Sequence, residues 1–346
     1  MAFFTGPIPI QPPSRSPGEN KVVRVVALGG GHGLSASLSA LRRLTTDLTA
    51  IVTVADDGGS SGRLREELDV LPPGDLRMAL AALCDDTDWG RTWRDVMQHR
   101  FVSKPGSSAS LDQHAVGNLL IVALWELLKD PVAGLRWAGA LLGARGQVLP
   151  MSITPLTITG DVLEESGDAK LVSRRISGQA KLAMVGESMR VTNVRLEPAD
   201  AAACTEALDA IELADWVILG PGSWYTSVIP HLLLPEMREA LARTPARRLL
   251  TMNLSTDTAE TAGMDAAAHL EVISRYAPEL RLDAVLADPA TISDHEAFTQ
   301  AAARLGARTF FGKVGVGAGR AVHDPLRLAA AYHDVFTTFS TDEPSS

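Results

Sequence analysis

Short unbroken apolar runs, each closed by a glycine or acidic turn and followed by a stretch with helical spacing, recur along this chain. Runs of this kind mark strands that are covered on both faces. They predict strands at Val22–Leu28 and Ile51–Ala55, and helices at Leu34–Leu44 and Gly62–Leu68. In the first helix Leu38, Leu41 and Leu44 share one face. Leu71–Cys84 places Pro and Gly ahead of an apolar-periodic helix with Asp75 as its N-cap, and Gly117–Leu128 and Val132–Leu142 read as two more helices. From about Gln147 to Leu196 short alternating runs of β-branched residues predict a small β-rich section. The α/β alternation then resumes. It gives a helix at Ala199–Leu213, strands at Trp216–Gly220, Arg248–Leu254 and Leu282–Ala287, and helices at Pro235–Ala242 and near Leu326–Phe336. Such alternation argues for an α/β fold with a mostly parallel sheet covered on both sides.

Composition narrows the picture. With 346 residues, 46% hydrophobic and 21% charged, the chain can bury a sizeable core. Residues 1–20, rich in Pro, Ser and Gly, read as a disordered leader, 21–338 as a single domain and 339–346 as a disordered tail. A net charge of −9 argues against a broad nucleic-acid surface, so any phosphate site must be local. Cys84 and Cys204 lie far apart without a CxxC motif, which argues against disulfides and zinc and for a cytoplasmic location. Leu119–Leu128, the most apolar helical stretch, is too short to span a bilayer. An acidic fold with several apolar helices is compatible with a homodimer.

The chemistry concentrates at three strand ends. GGGHGLS, Gly29 to Ser35, contains Gly30, Gly31, His32 and Gly33, and Gly31, Gly33 and Ala36 fit a dinucleotide fingerprint. ADDGGSSGRLREEL follows the next strand with Asp56, Asp57, Gly58, Gly59, Ser60 and Ser61. Glycine-rich turns at the carboxyl ends of parallel strands let backbone amides approach an anion, and a helix N-terminus adds positive potential. Two such loops in succession point to the phosphates of a nucleotide. Asp56 and Asp57 fit Mg²⁺ held against phosphate oxygens, a ribose contact, or capping of their own loop. Gly74, Asp75 and Arg77 form a third polar turn. His114 and Asn118, four residues apart, share a helix face as base, phosphate donor or structural pair. GPGSWYTS adds Gly220, Pro221, Gly222 and Ser223 from the second half of the chain, with Trp224 and Tyr225 as core in the bland reading. No GxSxG elbow, Walker lysine or HExxH is present, so covalent hydrolysis has no support. The first fingerprint alone would suit an NAD-linked oxidoreductase, which ranks last.

GGGHGLS, TVADDGGSSGRLREEL, LPPGDLRMALAAL, QHRF, HAVGNLL, RGQVLP and LGPGSWYTSVIPHLL together resemble the YvcK-like family of gluconeogenesis factors, related to the 2-phospho-L-lactate transferase CofD. The resemblance runs from about Val22 to Phe336 and implies a three-layer Rossmann-like fold. It also implies UDP-sugar binding and a role in carbon metabolism, cell shape and cell-wall synthesis without an established reaction. The alternative it carries is a Mg²⁺-dependent transferase of a phospho-ester group from a nucleoside diphosphate donor. It places the ligand against Gly30, Gly31, Gly33, Asp56, Asp57 and Gly220 to Ser223. Two segments depart from the family pattern. Asn253 to Met264 has Asp257, Thr258 and Ala259 where relatives have Gln-Pro-Gly, and Met264 in place of an aromatic residue. Val322 stands before His323 where many relatives have arginine.

Overall fold

A computed structural model of the chain describes residues 22–104, 110–166, 170–185, 189–256, 258–317 and 319–341. The expected leader, the last five residues of the expected tail and Asp257 lie outside the described residues. The first half runs β1 (Arg24–Gly29), α1 (Gly31–Leu41), β2 (Asp47–Val52), α2 (Gly59–Leu68), α3 (Gly74–Leu83), α4 (Asp88–Gln98), α5 (Val116–Leu128), α6 (Pro131–Leu142) and β3 (Gln147–Pro150). Next come β4 (Thr157–Ser166), β5 (Lys170–Ser177), α7 (Gln179–Leu182), β6 (Met189–Glu197), α8 (Thr205–Leu213) and β7 (Trp216–Leu219). The chain continues through α9 (Pro230–Leu233), α10 (Pro235–Arg243), β8 (Arg247–Thr251), α11 (Ala266–Tyr276), β9 (Ala284–Ala287), α12 (His295–Arg304), β10 (Arg308–Phe311) and α13 (Pro325–Thr341).

Seven strands form one parallel sheet in the order β10-β9-β8-β7-β1-β2-β3. The chain builds outward from β1 in one direction through β2 to β3, and later in the other direction from β7 to β10. Right-handed crossovers therefore put α1, which links β1 to β2, on one face and α10, which links β7 to β8, on the other. α13 returns to pack on α1, and α8 packs on α10. Valine, leucine and isoleucine on β1, β2, β7 and β8 are buried throughout the sheet centre, as expected for strands covered on both sides.

β4, β5 and β6 form a separate antiparallel sheet in the order β5-β4-β6. The β-rich stretch thus divides: β3 joins the main sheet as an edge strand and only β4 to β6 make the small one. α13 carries on to Thr341, three residues into the expected tail, because Phe339 packs against Trp216 and Phe310. Asp75 does not cap α3. Pro73 holds the N-cap position and Asp75 lies in the first turn. α4, α11, α12 and β10 were not anticipated. α4 is short and mostly polar, its narrow stripe of Trp89, Trp93, Val96 and Met97 touching the core through Trp93 and Met97, and β10 is a four-residue edge strand.

Candidate functional site

β1 is the strand at which the sheet order reverses, and the crevice of an open α/β sheet lies beyond the strand ends at such a point. The glycine loop after β1 and the GPGS turn after β7 meet there, around a cleft of about 350 Å³. Glycine is required for that meeting. A Cβ on Gly33 would run into the Pro221 carbonyl and lie 2.7 Å from the Gly222 Cα, so the two backbones touch. Gly222 has φ +154, and its N–H and carbonyl are both held by the Asn253 side chain, at 2.9 and 2.8 Å. Behind the turn, Ser37 donates to the Gly220 carbonyl at 3.1 Å and meets the Tyr332 hydroxyl at 2.7 Å.

α1 begins in this cleft with Gly30 at its N-cap and no side-chain cap. The first-turn amides of α1 therefore face the cleft, apart from the Gly31 N–H, which donates to Asp75. Thr53 also donates to Asp75, at 3.3 Å. Burial, reinforced by the nearby Asp56 charge, pushes the Asp75 carboxyl up to about 7.

The two neighbouring aspartates diverge. Asp56 turns inward, accepts the Gly58 N–H at 2.9 Å and a hydrogen bond from Ser61, and burial raises its pKa. Asp57 turns towards the small sheet, where it accepts the Ala180 N–H of α7 at 2.8 Å. The Asp56 charge adds to the rise of Asp75, and the Asp57 charge adds to the rise of Asp56. A desolvated carboxyl beside an uncapped helix start, with a second carboxyl behind it, suits a divalent cation held against phosphate, an ordinary arrangement for Mg²⁺. Among the described residues there is no group of three or more His, Cys, Asp or Glu placed to hold a metal.

Beneath the second loop lies a buried chain of polar side chains. Arg77 donates from Nε to Asn118 Oδ1 at 2.9 Å, and Asn118 Nδ2 donates to Ser60 Oγ at 2.9 Å. Ser60 Oγ meets His114 Nδ1 at 3.1 Å. Burial and the Arg63 charge lower the His114 pKa, which favours the neutral ring. Arg77 is buried, its pKa is lowered to about 10 by burial, and its Nη1 has no partner. Gly117 carries no Cβ because one would lie 2.8 Å from both Arg77 Cγ and the Met97 carbonyl. Arg63 and Arg65 do not face the cleft: Arg63 donates to the Asp112 carbonyl, and Arg65 to the Leu156 carbonyl and Thr157.

The expected residues therefore sort by place. Gly30, Gly31, His32, Gly33, Asp75, Pro221, Gly222 and Ser223 line the cleft. Asp56, Ser60, Ser61, Arg77, His114 and Asn118 are half-buried or buried behind it. Asp57 and Gly58 meet α7, Gly59 opens α2, Gly74 makes room for Ser61 and Asp56, and Gly220 sets the turn. The structure adds Gln179, Ser227, Asn253, Thr258 and His323 to the lining. Asn253 follows a strand and His323 precedes an aspartate, both positions with some signal; Gln179 had none. Under the GPGS turn, buried Glu260 accepts from the Trp224 and Tyr225 N–H groups and from Thr226 at 3.3 Å, and burial pushes its carboxyl up to about 7. Trp224 and Tyr225 are core, as in the bland reading.

The model of the family described as 2-phospho-L-lactate transferase CofD matches residues 25–309. The chain is 48% identical over 314 residues to a Mycobacterium tuberculosis protein named "putative gluconeogenesis factor", covering 90% of each chain. It is 38% identical over 274 residues to the gluconeogenesis factor of Halalkalibacterium halodurans, covering 79% of this chain and 80% of that one. A crystal structure of a UPF0052-family protein from Bacillus halodurans superposes with a TM-score of 0.77 at 33% identity, covering 90% of this chain and 99% of that one. No described helix is long and apolar enough to cross a membrane.

Proposed function

We propose, for a chain that belongs to the 2-phospho-L-lactate transferase CofD family and groups within it with the gluconeogenesis factors, that this cleft binds a UDP-sugar. The protein then acts in the cytoplasm as a regulator of carbon metabolism, cell shape and cell-wall synthesis. One observation carries the reading: the uncapped start of α1 opens into a crevice closed on its far side by the GPGS backbone. Free amides at a helix start bind a diphosphate without any lysine or arginine. No lysine or arginine is among the described residues that line the cleft. Asp75, at the edge of the same cleft, is placed to accept from ligand hydroxyls.

The Asp56–Asp75 pair favours a second reading, a Mg²⁺-dependent transferase acting on a nucleoside diphosphate donor. A bound Mg²⁺ would supply charge neutralisation at the phosphates. The α1 amides would orient the same group, and the neutral His114–Ser60 pair stands near the second loop as a proton relay. The experiment is a thermal-shift screen against UDP-N-acetylglucosamine, UDP-glucose, NAD, GTP and phosphate, with and without Mg²⁺. A ligand that binds only the folded state raises the melting temperature. Stabilisation by UDP-sugars without metal supports the regulator. Stabilisation by another nucleotide, and only with Mg²⁺, supports the transferase. No response to any of them overturns both.

A further inference from the structure

The cleft contains two polar atoms without hydrogen-bond partners, and they stand on segments far apart in sequence. The first is Gln179 Oε1, which is buried and unpartnered although its residue lines the cleft. Gln179 opens α7 in the small-sheet lobe. Its backbone is fixed there from both sides, because Asp57 accepts the Ala180 N–H at 2.8 Å and the Gly178 N–H bonds to the Ile158 carbonyl at 2.9 Å. The second is His323 Nε2, also buried and unpartnered, on the segment after β10. The His323 ring is hydrogen-bonded to the Met252 carbonyl. A carbonyl only accepts, so the ring nitrogen facing it carries the proton. A neutral imidazole has one proton, and Nε2 is then a bare acceptor. Burial lowers the ring's pKa to about 4, which keeps it neutral at ordinary pH.

A buried acceptor left without a donor destabilises the fold. Two of them on residues that line one cleft call for a ligand that brings donors. The α1 amides offer the opposite chemistry, donors that require an anion. The cleft thus offers two chemistries, donors from the α1 start and acceptors from Gln179 and His323. We infer that Gln179 and His323 are specificity-determining residues that accept hydrogen bonds from the O–H and N–H groups of the sugar end of the ligand. This rests on the UDP-sugar reading of the cleft and adds to it which residues distinguish the glycosyl group from a bare diphosphate.

The test is isothermal titration calorimetry on the full chain with UDP-N-acetylglucosamine and with inorganic pyrophosphate. Gln179→Leu and His323→Phe remove the acceptors while keeping bulk. Each is expected to weaken UDP-N-acetylglucosamine at least tenfold, about 1.4 kcal/mol, and to leave pyrophosphate within twofold. Unchanged affinity for the nucleotide sugar overturns the inference, as does an equal loss for pyrophosphate. Gln179 is half-buried on a short helix, so its variant decides the matter even where the His323 variant does not fold. Failure of the unaltered chain to bind either probe is a different result: it removes the UDP-sugar reading, and this inference falls with it.

Discussion

The side chain of Asn253 holds the peptide groups of Gly222 on both sides, with Oδ1 taking the N–H at 2.9 Å and Nδ2 reaching the carbonyl at 2.8 Å. A carboxamide that pairs with a backbone in this way fixes a glycine at φ +154 that has no side chain to fix itself. Asn253→Ala leaves two backbone groups without partners. Chemical denaturation is expected to show a loss of about 1–3 kcal/mol. Calorimetry with pyrophosphate should show at least a tenfold loss, because the GPGS wall of the cleft loosens. A variant that binds pyrophosphate normally would mean that the turn holds its shape unaided.

Gly33 and Gly139 test whether close backbone approach or helix propensity decides a glycine's value. Gly33→Ala forces a methyl into the Pro221 carbonyl, and overpacking of this kind typically costs about 1–3 kcal/mol or more. Gly139, inside α6, would place a Cβ at an ordinary 3.7 Å from Leu80. Gly139→Ala should therefore stabilise by roughly 0.5–1 kcal/mol. Equilibrium unfolding of the two variants in urea checks the opposite signs.

Glu260 gives a pH dependence of definite direction. Its carboxyl titrates at about 7 in the folded chain against 4.5 as its ordinary value, chiefly through burial. Between those values the folded state keeps a proton that the unfolded state has lost. This contribution to stability is full below about 4.5 and disappears as pH rises through 7. Glu260→Gln cannot ionise and escapes the loss. Relative to the unaltered chain its melting temperature should be higher at pH 8 than at pH 5, by about 2–4 °C for each kcal/mol. An equal difference at the two pH values would show that Glu260 is ionised throughout.

Asp57 anchors α7 and stands away from the cleft amides. Asp57→Ala should leave pyrophosphate affinity within twofold. It should also speed proteolytic cutting within residues 157–197, at a cost of about 1 kcal/mol in stability. Loss of pyrophosphate binding without faster cutting would return Asp57 to the phosphate site.

The glycine-rich turns were legible because glycine at the end of an apolar strand has few other uses, and the parallel sheet followed from the spacing of strands and helices. The partition of the acids was not legible. Adjacent Asp56 and Asp57 look equivalent in sequence, yet one turns inward to Gly58 and the other to α7, and only the packing of α7 decides which. Asp75 reads as a helix cap by type and position, but the Gly31 amide lies closer to its use than the start of α3. Asn253 and His323 stand in the two segments that depart from the family pattern, and both line the cleft. Gln179 reaches it only through the small sheet, a tertiary placement that no spacing encodes.

β1 is the first of the described strands and lies inside the sheet, between β2 and a β7 that follows it by about 190 residues. During synthesis its Val25–Leu28 edge stays unsatisfied until Trp216–Leu219 has left the ribosome. Chains truncated before Trp216 therefore carry an apolar strand edge with nothing to pair with, the template on which polypeptides stick together. For such a molecule the vulnerable interval is the time taken to translate the stretch between Leu28 and Trp216, more than half of its length, and a pause or premature stop there is expected to yield inclusion bodies rather than a stable half-protein.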